Sequence, residues 1–133
     1  MSRIIRPELS KSNPYYISKH RYYELKHFCL QYYEWKELYL SLDTYQNTDK
    51  TDDYKDPTPH LAIVKSQCID NMLLIEQTAK KADMALSKYI FKAVTEEDIS
   101  FTYLKTVMDI PCGKDMYYDR YRKFFWLLAQ ERQ

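Results

Sequence analysis

The sequence predicts an all-α protein, a helical hairpin followed by a C-terminal three-helix helix-turn-helix unit. Three observations predict it. Apolar residues recur at alternating steps of three and four over two long stretches, a third such stretch is interrupted by Asp109-Ile110-Pro111-Cys112-Gly113, and no alternation of period two persists over a useful length. Steps of three and four put side chains on one helical face, whereas a strand buries every second residue.

Residues 1–18 hold Pro7 and Pro14 among serines and cations and read as an extended basic N-terminal arm. Ser18 is placed to cap a helix in which Leu25, Phe28, Tyr32, Trp35, Tyr39 and Leu42 form a seam. Residues 43–59 are polar, with five aspartates and two prolines, and read as an acidic loop. A second helix is expected from Thr58 or Pro59 to about Asp83, because proline is tolerated in a first turn. Its seam is Val64, Cys68, Met72, Ile75, Ala79 and Ala82. The two seams match in length, so each needs a partner. Residues 19–83 either fold back as an antiparallel hairpin or pair between chains, giving a homodimer through the N-terminal helices.

Asp83 can cap a third helix from Met84 to about Thr95, with Leu86, Tyr89, Ile90 and Ala93 or Val94 inward, and Glu96-Glu97-Asp98 then forms an acidic connection. In the last stretch Ser100 can cap a helix and Ile99 has the staple spacing to Leu104. Leu104, Val107 and Met108 follow as an apolar stripe. Pro111 and Gly113, the only glycine in the chain, predict a four-residue turn. Beyond it Tyr117, Tyr121, Phe124 and Leu128 share one face; Lys114, Asp115, Tyr118, Arg122 and Glu131 lie opposite, with Arg120 and Lys123 at the borders. Residues 84–133 are therefore expected to form a helix-turn-helix unit, the upstream helix covering faces that two crossed helices leave exposed.

Composition narrows the function classes. Nearly half the residues are apolar and 14 are tyrosines, so the chain can build a core with many half-buried aromatic rims. The net charge of +1 argues against indiscriminate coating of nucleic acid. Charge is nevertheless segregated: Arg3, Arg6, Lys11, Lys19, Arg21 and Lys26 lie near the start, whereas residues 43–56 are acidic. Cys29, Cys68 and Cys112 are widely spaced and odd in number, which predicts free thiols in a reducing compartment and no zinc ribbon. His27 and Cys29 are too close on a helix to share a face, so no metal is expected. No secretory signal or membrane-length apolar run is visible, and no membrane partner is expected. One glycine excludes a P-loop or dinucleotide fingerprint, and no nucleophile–base arrangement is present, so neither catalytic residues nor a cofactor are expected.

What remains is binding. A helix fits the major groove and presents base-reading residues near its N-terminal end, where free amides also accept phosphate. Gly113, Lys114, Asp115, Tyr118, Arg122 and Lys123 are the candidate DNA-binding residues: Lys114 for phosphate or guanine, Tyr118 for phosphate or a thymine methyl, and Arg122 for the backbone. Asp115 can accept from cytosine, or simply stabilise its helix.

The segment from Tyr103 to Phe125, with Val107-Met108-Asp109-Ile110-Pro111-Cys112-Gly113-Lys114-Asp115 at its turn, resembles the helix-turn-helix of sigma-factor region four and of small phage transcription regulators of the ArpU and RinA type. In those families a hydrophobic-Gly-Ile turn leads into a helix carrying aromatic or aliphatic residues among arginines. Here Asp109 stands where such turns often have glycine, and Pro111 replaces the usual polar residue. The block from His20 to Tyr32 looks like an N-terminal helix of phage proteins of similar size. The resemblance implies a phage or prophage transcription regulator in the cytoplasm of a bacterial host, with double-stranded DNA as its partner and host RNA polymerase as a second candidate. Two other classes stay open: a small terminase-like DNA-packaging accessory, and a phage inhibitor that offers its acidic loop to a basic host protein.

Overall fold

In the computed structural model, which describes residues 11–48 and 59–133 and only the backbone of 44–48, six helices and no strand are found among the described residues. They are α1 (Lys19–Leu30), α2 (Tyr32–Thr48), α3 (Pro59–Ala82), α4 (Ser87–Thr95), α5 (Phe101–Thr106) and α6 (Lys114–Glu131). Residues 1–10 of the basic arm and 49–58 of the acidic loop lie outside the described residues.

Ser18 caps α1 by accepting from the Arg21 amide at 3.3 Å. The expected first helix is divided at Gln31, which marks the boundary between α1 and α2 and divides their packing. α1 packs on α4 and α6, while α2 pairs with α3. The α2–α3 pair is the predicted hairpin, formed within one chain. The Tyr32 hydroxyl donates to Glu76 at its base, and Lys65 Nζ donates to Asp43 Oδ1 at 2.8 Å further out. Those pairings run in opposite sequence directions, so the helices are antiparallel. Along α3 the seam is buried at Cys68, Ile75, Ala79 and Ala82, but Val64 and Met72 are only half-buried. On α2, Trp35, Tyr39 and Leu42 are likewise half-buried, which leaves the outer hairpin as a thin two-helix arm.

The core lies at the base of the arm, where α1, α4, α5 and α6 join the last turns of α3. It is continuous across Asp83, binding the first half of the chain to the second. Leu25, Ile75, Ile90, Val94, Leu104, Ile110, Phe124 and Phe125 are each at most 1% exposed. Complete burial of one such side chain contributes about 1.5–3 kcal/mol. α4 begins at Ser87, three residues later than predicted, because Asp83 Oδ1 accepts from the Leu86 amide at 3.1 Å and organises a turn ahead of the helix. Leu86, Tyr89, Ile90, Ala93 and Val94 are all buried.

Cations near the start of the chain serve as caps for other helices. Arg21 donates to the carbonyls of Ala129 at 3.3 Å and Arg132 at 2.6 Å, closing the C-terminal end of α6. Lys26 Nζ donates to Ala93 O at 2.6 Å and Glu96 O at 3.3 Å, closing α4. Burial pushes the Lys26 ammonium down to about 8, against the pull of Glu97, Asp98 and the Cys29 sulfur. The Arg132 guanidinium stacks over Phe28, 3.7 Å from the ring centroid.

Candidate nucleic-acid interface

The N-terminal end of α6 is positioned by the segment before it. Ser100 Oγ accepts from the Tyr103 amide at 3.1 Å and starts α5, and Leu104 inserts into the core. Only six residues are helical, and residues 107–113 then form a link longer than the predicted four-residue turn. Leu104 and Ile110 must both reach the core, so the intervening chain loops outward. Val107 is consequently 63% exposed and leaves the expected apolar stripe. The Ile110 amide returns to Leu104 O at 3.1 Å, and Lys105 Nζ donates to Ile110 O at 3.3 Å.

Asp109 makes the reversal. Its φ of 55° lies in the left-handed region, as does that of Asp98 at 60°, and aspartate is among the few non-glycine residues that enter it readily. Gly113 has an ordinary φ of −82° and serves as the N-cap of α6 without a side-chain hydrogen bond. The sole glycine therefore stands at the helix start instead of supplying the turn's positive φ.

Tyr117, Tyr121, Phe124 and Leu128 are buried, as their spacing requires. Phe125 is buried as well. Its ring meets Tyr22 edge-on at 4.9 Å, and the Tyr22 and Tyr121 hydroxyls share a hydrogen bond of 2.7 Å. Burial holds the ionisation of Tyr117 and Tyr121 well above the usual phenolic range. Phe125 widens the inner face of α6 toward Tyr118, which is half-buried, with its ring 4.8 Å from that of Tyr117 and 6.3 Å from that of Tyr121. Tyr118 is thus a rim residue of the aromatic core.

The remaining candidates divide by place. Gly113, Lys114 and Asp115 are exposed at the helix end. Arg122 and Lys123 are half-buried further along and, as consecutive residues, point about 100° apart. Arg120 is immobilised: Nε donates to Asp83 Oδ2 at 3.0 Å and Nη1 to Asp119. The Asp83 hydrogen bond is the main cause that raises the guanidinium's pKa. Asp83 thereby holds α6 to the corner between α3 and α4. On the flank of α6 beyond Arg122, Trp126 packs against Tyr15 of the N-terminal segment at 5.6 Å.

Sequence reasoning missed a second feature at that corner. An open groove of about 300 Å³ is lined by Tyr32, Glu76, Lys80, Ser87, Lys88 and Phe91. Its Tyr32 and Phe91 rings meet edge-on at 4.8 Å, and burial raises the Tyr32 phenol's pKa, with the Glu76 hydrogen bond adding to it. The lysines are visible in the sequence, but the bend at Asp83 that sets them across one groove is a tertiary feature. Among the described residues no three His, Cys, Asp or Glu side chains assemble as a metal site, and no helix is long and apolar enough to cross a membrane. Comparison with protein families, curated proteins and solved structures finds no match for this chain.

Proposed function

We propose that this chain is a phage or prophage transcription regulator that engages duplex DNA with the N-terminal end of α6. The observation that carries this reading is the division of labour among the cations of that helix. Arg120 is held by Asp83 and Asp119, whereas Lys114, Arg122 and Lys123 have no carboxylate partner among the described residues. An unpaired cation keeps its charge available for a phosphate, and the exposed amides at Gly113 and Lys114 add donors at the same end. Arg120 orients α6, Lys114 meets the backbone or a guanine at the groove entrance, and Arg122 contacts the flanking phosphate. Tyr118 supports the helix from within the aromatic cluster, so base reading falls to Lys114 and Asp115.

The test is a titration of duplex DNA at several salt concentrations with the wild-type chain and with Lys114→Ala/Arg122→Ala. Wild-type affinity is expected to fall steeply with salt, and the double variant to bind more weakly with a logarithmic salt slope shallower by about 2. Absence of binding at low salt, or a slope indifferent to both substitutions, refutes the proposal.

A further inference from the structure

The groove at the α3–α4 corner joins a ring surface, a fixed carboxylate and two open cations. Tyr32 and Phe91 meet edge-on at 4.8 Å and, with Ala79, form its apolar part. Tyr32 and Ala79 are buried, whereas Phe91 is only half-buried. A planar heterocycle can stack on such a surface whatever its hydrogen-bonding edge, because every base has a π-face.

The carboxylate selects the edge. Glu76 Oε2 accepts from the Tyr32 hydroxyl, which burial keeps protonated, so the carboxylate is held in place on the wall. An ionised carboxylate only accepts, and of its roughly four lone-pair positions Tyr32 occupies one. The others require N–H donors. Two adjacent donors on one ring edge engage a carboxylate in bidentate fashion. Guanine offers its ring N–H beside its amino group, whereas adenine sets a ring acceptor beside its amino group.

An anion placed against Glu76 is repelled, so a ligand's negative charge belongs at the rim. Lys80 from α3 and Lys88 from α4 stand exposed there, and neither has a carboxylate partner among the described residues. The Lys88 ammonium rests 5.1 Å over the Tyr89 ring, a contact that leaves its N–H donors available. Lys80 lies four residues beyond Glu76, about 6 Å along the axis of α3. A ligand that satisfies both therefore carries a donor edge at one end and an anion at the other. The groove's volume of about 300 Å³ is at the small end for ligand sites and suits a single nucleotide.

We propose that this groove binds a guanine mononucleotide, its base resting on Phe91 and donating to Glu76, and its 5′-phosphate held by Lys80 and Lys88. The assignment does not rest on the DNA reading, whose residues belong to the N-terminal end and flank of α6.

Isothermal titration calorimetry of the whole chain at low salt tests it, with guanosine 5′-monophosphate, adenosine 5′-monophosphate, guanosine and inorganic phosphate as ligands. The guanine nucleotide is expected to bind about tenfold or more tightly than each of the others, because only it meets the rings, the carboxylate and the lysines together. Lys80→Ala/Lys88→Ala should weaken it about tenfold. Glu76→Gln, whose amide keeps an acceptor for Tyr32, should bring the two nucleotides within about threefold of one another. Circular dichroism confirms that each variant keeps its helices, and the wild-type ligand series decides the matter even where Glu76→Gln unfolds. Lys114→Ala/Arg122→Ala should bind the guanine nucleotide as the wild type does, which separates this groove from the DNA-binding end. Absence of binding, inorganic phosphate or the adenine nucleotide bound as tightly, affinity indifferent to the lysine substitutions, a guanine preference that survives Glu76→Gln, or loss of binding in Lys114→Ala/Arg122→Ala overturns the proposal.

Discussion

Replacing Tyr22 with Phe removes one oxygen atom and leaves the ring that packs edge-on against Phe125 in place. The Tyr121 hydroxyl, bonded to Tyr22 at 2.7 Å inside the core, then loses that partner. Leaving a buried hydroxyl unsatisfied costs about 1–3 kcal/mol, more than the roughly 1 kcal/mol that the bond contributes net. Taking about 2 kcal/mol and an unfolding entropy of about 2.1 cal/mol/K per residue, the chain's 133 residues give a fall in Tm of about 7 °C. Thermal unfolding at neutral pH, followed by circular dichroism, measures the shift. Tyr22→Phe/Tyr121→Phe should recover much of the loss, because the Tyr121 hydroxyl that lost its partner is then removed as well. A double variant as unstable as Tyr22→Phe alone would refute the reasoning, since the loss would then lie in packing around residue 22.

The Lys26 ammonium, held at about 8 by burial, should make stability depend on pH. The folded chain gives up this proton more readily than the unfolded one, so the penalty for burying the charge is complete below about 8 and is relieved as pH rises toward 10. Denaturant unfolding between pH 7 and 9.5 should show a gain of about 2 kcal/mol that is absent from Lys26→Met. Asp109→Gly is expected to stabilise by about 0.5–1 kcal/mol, because it relieves the left-handed backbone at φ 55°, whereas Asp109→Val should destabilise by at least about 1 kcal/mol. Gly113→Ala should be close to neutral in the same assay: its Cβ meets nothing within 4 Å, and the reduced freedom of the unfolded chain offsets the poorer N-cap.

Much of the local structure is legible in the sequence. Ser18 and Ser100 are caps, α3 starts at Pro59, and Leu86, Tyr89, Ile90, Tyr117, Tyr121, Phe124 and Leu128 face inward. These features depend on residues within a turn or two of one another. The misjudged positions answer to distant partners. Val107 continues an apolar stripe in the sequence, yet Ile110 fills the core and pushes it outward. Phe125 departs from the inner-face spacing, but Tyr22 of α1 buries it, and Tyr118 is drawn in beside it.

The candidate interface shows the same division. Lys114 and Asp115 are identifiable as candidates because they follow a turn and open a helix, and both are exposed among the described residues. That Arg120 is spent on Asp83, and Arg21 and Lys26 on the ends of α6 and α4, was not readable from spacing, because a cation's role is set by whichever carboxylate or carbonyl the folded chain brings to it. Periodicity and capping chemistry act over a few residues and were enough to establish helices, their starts and their apolar faces. Which helices meet, where the arm leaves the core, and which charges stay open depend on burial shared between segments far apart in the chain, and folding alone settles those.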